Sequence, residues 1–143
     1  MFIGAVSCCG KCCIEAGIPL SVCQNNEWRN IRVKAVPDDK IAAGYLSNAI
    51  TQSICIGGLE PMEQFDEVFD LIKTLRNKYG CNDDIVIYTG YYPQEIADEL
   101  AALRQFENIV VKFGRYQPGQ KSHYDEVLGV ELASDNQWAE RIS

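Results

Sequence analysis

Five of the seven cysteines in this 143-residue chain, Cys8, Cys9, Cys12, Cys13 and Cys23, fall within one 16-residue stretch. A disulfide scaffold would spread its cysteines to staple distant loops, and an odd total excludes complete internal pairing, so the clustering points to metal ligation. Three thiolates on one loop can hold a cubane iron-sulfur cluster through three of its irons, leaving the fourth iron open to another molecule. Cys8 and Cys12 form a Cys-x3-Cys pair, Cys9 and Cys13 repeat that spacing one residue on, and Cys23 is the natural third ligand in either register. A structural zinc site using four of the five thiolates is the plainer alternative. His123, the only histidine, lies 100 residues past Cys23 in a polar segment and reads as an ordinary surface residue.

The remaining composition is that of an ordinary globular domain. Lys and Arg total 13 against 20 Asp and Glu, a formal charge of −7, and no basic run builds a stripe that would track phosphates, so nucleic acid is not an expected partner. No apolar run approaches the roughly 18 residues of a membrane span. The opening MFIGAVSCC lacks a basic leader region, so a cytoplasmic protein is expected. The length suits one domain over residues 1–143.

Regular elements must position the cysteine loop. Phe2 to Val6 reads as a short buried strand entering it. Asp38-Asp39 after Pro37 starts a helix whose apolar positions are Ile41, Ala42, Tyr45, Leu46 and Ile50. Ile54-Cys55-Ile56 is a buried strand ended by Gly57-Gly58, with Cys55 as a small core hydrophobe. Met62 to Tyr79 is an amphipathic helix stopped by Gly80, after which Cys81 is a loop thiol. Ile85 to Tyr88 is a strand, Pro93 opens a helix to about Arg104, and Ile109 to Phe113 is another strand. Strand and helix alternating with short connections build a parallel sheet, and ligands of such sheets gather at the strands' carboxyl ends. The cysteine loop, Gly57-Gly58-Leu59-Glu60-Pro61 and Thr89-Gly90-Tyr91 all lie at those ends. Trp28 and Trp138 read as packing residues. Glu60 taken alone is a solvated acid at a helix start.

Cys8-x3-Cys12 followed by Val22-Cys23-Gln24-Asn25 resembles the cluster loop of radical S-adenosylmethionine (SAM) enzymes, and Gly57-Gly58-Leu59-Glu60-Pro61 resembles their Gly-Gly-Glu-Pro motif. With Thr89-Gly90-Tyr91, Gly114-Arg115-Tyr116 and Ser134-Asp135-Asn136-Gln137 in that order, nearly the whole chain resembles the anaerobic ribonucleoside-triphosphate reductase activating proteins. Ten residues separate Cys12 from Cys23 where the family's usual loop has two, and Leu59 is inserted in the Gly-Gly-Glu run. A longer arm can still close, because closure entropy rises slowly with length.

The resemblance implies an incomplete radical-SAM-type βα barrel with a mostly parallel sheet, since the chain is too short for a complete barrel of about 250 residues. It implies that Cys8, Cys12 and Cys23 hold a [4Fe-4S] cluster whose open iron binds SAM. Gly57, Gly58 and Glu60 would take the methionyl amino group, Val22 and Gln24 would lie against the adenosine, and Thr89 near the ribose. No residue is expected as a general acid or base. The implied reaction is reductive cleavage of SAM and hydrogen abstraction from a glycine of the anaerobic reductase, with a flavodoxin or ferredoxin supplying the electron. Two other readings fit the cysteines: an activase of a different glycyl-radical enzyme, and a non-enzymatic zinc or iron-sulfur module.

Overall fold

The computed structural model describes residues 1–7, 14, 15, 17, 19, 21, 23 and 25–143. Cys8, Cys9, Cys12, Cys13, Val22 and Gln24 lie outside the described residues, and their expected roles with them.

Four parallel strands, β1 (Phe2–Ala5), β2 (Ser53–Gly58), β3 (Asp84–Tyr88) and β4 (Ile109–Phe113), stand side by side in chain order. A hairpin of β5 (His123–Asp125) and β6 (Val130–Leu132) follows, and β7 (Trp138–Arg141) pairs antiparallel with β4, making the five-stranded sheet mixed. Asp125 Oδ2 accepts from the Ala139 N–H at 2.9 Å, which occupies part of the free edge of β7.

Strand register sorts the side chains. Ile54, Ile85 and Ile109 align across the sheet, as do Ile56, Ile87 and Val111, and none is more than 2% exposed. Helices α1 (Asp38–Leu46), α2 (Phe65–Lys73) and α3 (Ala97–Leu103) press Tyr45, Leu71, Ile72, Leu100 and Leu103 onto this same face. Each such side chain contributes roughly 2 kcal/mol by leaving water. Cys55, Val86 and Tyr88 face the opposite side and are half-buried. Cys55 is therefore not a core residue: the two-residue period of the strand turns Ile54 and Ile56 inward and Cys55 outward. Cys81 is the reverse case. Gly80 at φ +62° folds the chain back, the Cys81 N–H meets the Leu75 carbonyl at 3.0 Å, and the thiol joins the core.

All three helices differ from the periodicity, the last because the chain from Pro93 forms a 3-10 turn (Pro93–Glu95) that Ile96, at φ −133°, separates from α3. The first ends at Leu46 because Asn48 Oδ1 takes the Ile50 N–H at 2.9 Å in a local turn, leaving Ile50 90% exposed. The span from Met62 to Tyr79 is three pieces: a 3-10 turn (Pro61–Gln64), α2, and a wide π turn (Thr74–Lys78) closed by the Tyr79 N–H on the Thr74 carbonyl at 3.3 Å. Arg76 within that wide turn binds the carbonyls of Cys81, Asp83 and Glu107 at 2.5, 2.9 and 2.9 Å, joining α2 to the amino ends of β3 and β4.

Candidate functional site at the carboxyl ends of the strands

The carboxyl end of β2 is built for close backbone approach. Gly58 has φ +97°, and a Cβ there would lie 2.6 Å from the Ala5 carbonyl oxygen and 2.9 Å from the Trp28 ring. Only glycine fits both demands. Trp28, on a 3-10 turn (Asn26–Asn30), also lies where a Gly4 side chain would be, and meets Phe2 edge-on at 5.8 Å. Trp138 packs on Phe113 at 5.4 Å and on Tyr92 at 6.2 Å, so both tryptophans pack within the fold.

Past Gly58 the chain bends at Leu59, and Glu60, in extended conformation, turns its side chain inward and is 2% exposed. Its Oε1 accepts from the Met62 N–H at 3.1 Å and the Thr89 hydroxyl at 2.7 Å, and its Oε2 accepts from the Gly90 N–H at 2.9 Å. Glu60 thus caps the Pro61–Gln64 turn and bolts the end of β2 to the end of β3; it is not the solvated acid that its position alone suggests. Burial pushes its carboxyl above the usual range, against the lowering effect of Gly90, Thr89 and Met62. A carboxylate has about four acceptor positions, so one remains at Oε2. Thr89 donates to Glu60 and accepts from the Tyr91 N–H at 3.0 Å. Thr89 at the end of β3 therefore stands with Gly57, Gly58 and Glu60 at the end of β2, although it lies 29 positions past Glu60 in the chain.

The later motifs close around the same point. Gly114 has φ +91°, and a Cβ there would meet the Asn136 carbonyl oxygen at 2.4 Å. Asn136 Nδ2 donates to the Arg115 carbonyl at 2.6 Å and to the Tyr92 hydroxyl at 2.9 Å, while Gln137 Nε2 donates to the Gly114 carbonyl at 3.2 Å. The buried Arg115 guanidinium grips Glu95 in a fork at 2.8 and 2.5 Å and lies over the Tyr92 ring at 5.0 Å. Its Nη1 also reaches the Gly90 carbonyl at 3.3 Å, and its Nε lies 3.0 Å from Glu15 of the cysteine loop. The Glu95 hydrogen bond holds the Arg115 pKa above its ordinary value.

Both ends of the cysteine loop are tied to the turn after β2. At the entrance, the Glu60 N–H donates to the Ser7 carbonyl at 2.8 Å, and Gln64 Oε1 accepts from the N–H groups of Val6 and Ser7 at 2.8 and 3.2 Å. At the exit, Asn25 Nδ2 donates to the Gly58 carbonyl at 2.5 Å. Cys23, two residues earlier, carries a free, half-buried thiol. Among the described residues, no group of three or more His, Cys, Asp or Glu side chains could hold a metal ion. The donor chemistry nevertheless suits cluster iron: the segment between Ser7 and Asn25 offers five thiols and no imidazole. Gln64, Glu15 and Glu95 escaped the sequence reading, and Asn25 entered it only as part of the Val22-Cys23-Gln24-Asn25 motif, because an amide or acid has the same local signature whether it faces water or another protein group.

Among the described residues no helix is long and apolar enough to cross a membrane. A family model described as a 4Fe-4S single cluster domain matches residues 6–137. No curated protein and no solved structure matches the chain.

Proposed function

Since the chain belongs to the 4Fe-4S single cluster domain family, we propose that it is a radical SAM activase that generates the glycyl radical of an anaerobic ribonucleoside-triphosphate reductase. One observation carries this reading. The cysteine loop and the Gly-Gly-Leu-Glu-Pro turn, 34 residues apart from Cys23 to Gly57, meet in space through Ser7, Glu60, Asn25 and Gly58. A cluster held by the loop and a ligand held by the turn would be neighbours, as SAM bound to an open iron requires.

In this reading Cys8, Cys12 and Cys23 hold the cluster. The backbone of Gly57 and Gly58 and the one remaining acceptor position of Glu60 receive the methionyl amino group. Val22 and Gln24 flank the adenosine. Thr89, expected near the ribose, commits its proton to Glu60 and so also orients that carboxylate toward the ligand. When bound, the cluster would supply the electron for reductive cleavage of the carbon-sulfur bond of SAM, the chemistry by which a glycyl radical could be generated on the protein substrate. That electron comes from a flavodoxin- or ferredoxin-type donor.

The strand order supports an incomplete βα barrel as the frame: β1 to β4 run parallel in sequence, and α1, α2 and α3 all pack on one face, as in a segment cut from a barrel. The half-buried side carrying Cys55, Val86 and Tyr88 is where a protein substrate would present its glycine. The ten residues between Cys12 and Cys23 favour one competing reading, a non-enzymatic iron-sulfur module. Electron paramagnetic resonance of the anaerobically reconstituted, reduced protein separates the two. A cubane signal that changes on adding SAM is expected for the activase; a signal indifferent to SAM refutes it.

A further inference from the structure

β1 leaves its ladder at Ala5, whose carbonyl accepts from the Leu59 N–H at 3.0 Å. The next two N–H groups, of Val6 and Ser7, lie past the ladder and converge on Gln64 Oε1 at 2.8 and 3.2 Å. Successive N–H groups aimed at one point form a small concavity of positive potential, and the amide oxygen fills it. The Ser7 carbonyl is bound as well, by the Glu60 N–H at 2.8 Å. Ser7 is therefore held through both its backbone groups by one turn, and the next residue is Cys8. At the far end Asn25, two residues past Cys23, is held on the Gly58 carbonyl at 2.5 Å.

The geometry points to Gln64 as a positioning residue for the cluster: by gripping Val6 and Ser7 it sets the direction in which the chain enters its first cysteine ligand, while Asn25 does the matching work behind the last. The inference rests on reading these cysteines as cluster ligands, and it holds for either register, since Ser7 adjoins Cys8 and stands one residue from Cys9. An amide oxygen accepts both N–H groups without adding a third carboxylate beside Glu60 and Glu63. The atom that matters is the acceptor, so Gln64→Glu keeps the function and Gln64→Met, of similar length, loses it.

The test is cluster retention. The full chain and its Gln64→Met, Gln64→Glu and Asn25→Ala variants are reconstituted anaerobically and challenged with a ferrous chelator, and the loss of cluster absorbance is timed. Thermal unfolding of the apo forms shows which variants fold. Losing two backbone hydrogen bonds at the entrance makes Gln64→Met shed its cluster about tenfold faster than wild type, with Gln64→Glu within about twofold of it. Equal rates for wild type and Gln64→Met overturn the inference, as does a Gln64→Glu variant as labile as Gln64→Met, which would mean that the side chain acts through packing alone. If Gln64→Met does not fold, Asn25→Ala carries the test, with severalfold faster loss expected and a wild-type rate overturning it. A wild-type chain that takes up no cluster overturns the reading of the cysteines and this inference with it, and that result is visible before any variant is made.

Discussion

Glu60 and Thr89 offer the sharpest test of the site, because one contact joins two strand ends. Thr89→Val keeps the shape of the side chain but removes the hydroxyl that donates to Glu60 at 2.7 Å and accepts from the Tyr91 N–H at 3.0 Å. A hydrogen bond to a charged group contributes about 1.5–3 kcal/mol, and an orphaned buried N–H costs a further 1 kcal/mol or so, giving a loss of about 3 kcal/mol. Glu60→Ala removes three acceptor contacts but also relieves the desolvation of a buried charge, for a net loss also of about 3 kcal/mol. Each single change should lower the melting temperature by roughly 6–12 °C at this chain length. The double variant should fall short of the sum by about 2 kcal/mol, because the shared bond can be lost only once. The assay is urea unfolding of the apo protein at pH 7 for all four members of the cycle. Additivity to within about 0.5 kcal/mol refutes the reasoning, because it would mean that carboxylate and hydroxyl do not meet in solution.

Three further outcomes follow from the same region. Because burial raises the Glu60 carboxyl in the folded state above its ordinary 4.5, the part of the stability that is linked to its protonation is complete below the unfolded value and is lost as pH rises through the folded one, while its hydrogen bonds persist; Glu60→Gln should flatten unfolding free energy against pH over that window. An unchanged pH profile counts against the buried carboxyl. Gly58→Ala forces a Cβ to within 2.6 Å of the Ala5 carbonyl at φ +97°, and should cost about 2–4 kcal/mol in urea unfolding; a loss below about 1 kcal/mol would show that the turn relaxes freely. Alanine substitution at Cys8, Cys12 and Cys23 should abolish iron uptake on anaerobic reconstitution, and substitution at Cys9 and Cys13 should spare it. The opposite pattern for the two pairs transfers the ligand roles to Cys9 and Cys13.

The elements were largely legible because burial on a sheet and on a helix imposes different periods. Ile54, Ile56, Ile85 and Ile87 alternate as a one-sided strand must, and Gly80 stops its helix where a residue at φ +62° is needed. The errors share one origin. Ile50 fits the helical period but lies beyond a local Asn48 turn, and Cys55 and Cys81 exchanged their expected burial, because an isolated apolar residue does not reveal which way the backbone will turn it.

The sequence by itself determined the chemistry available: five thiols in one stretch, a two-glycine turn with an acid beside it, and strands and helices alternating in the order that builds the parallel run β1 to β4. Only the tertiary structure decided how the pieces meet. Glu60 became a buried joint between two strands, Arg115 a fork closed on Glu95, and Gln64 and Asn25 the ties at the two ends of the cysteine loop. The reason is range. Period and turn preference act between residues near in the chain and can be read from their order. A side chain's partner 20 to 60 residues away is selected by strand register and helix packing, which exist only once the whole sheet has formed.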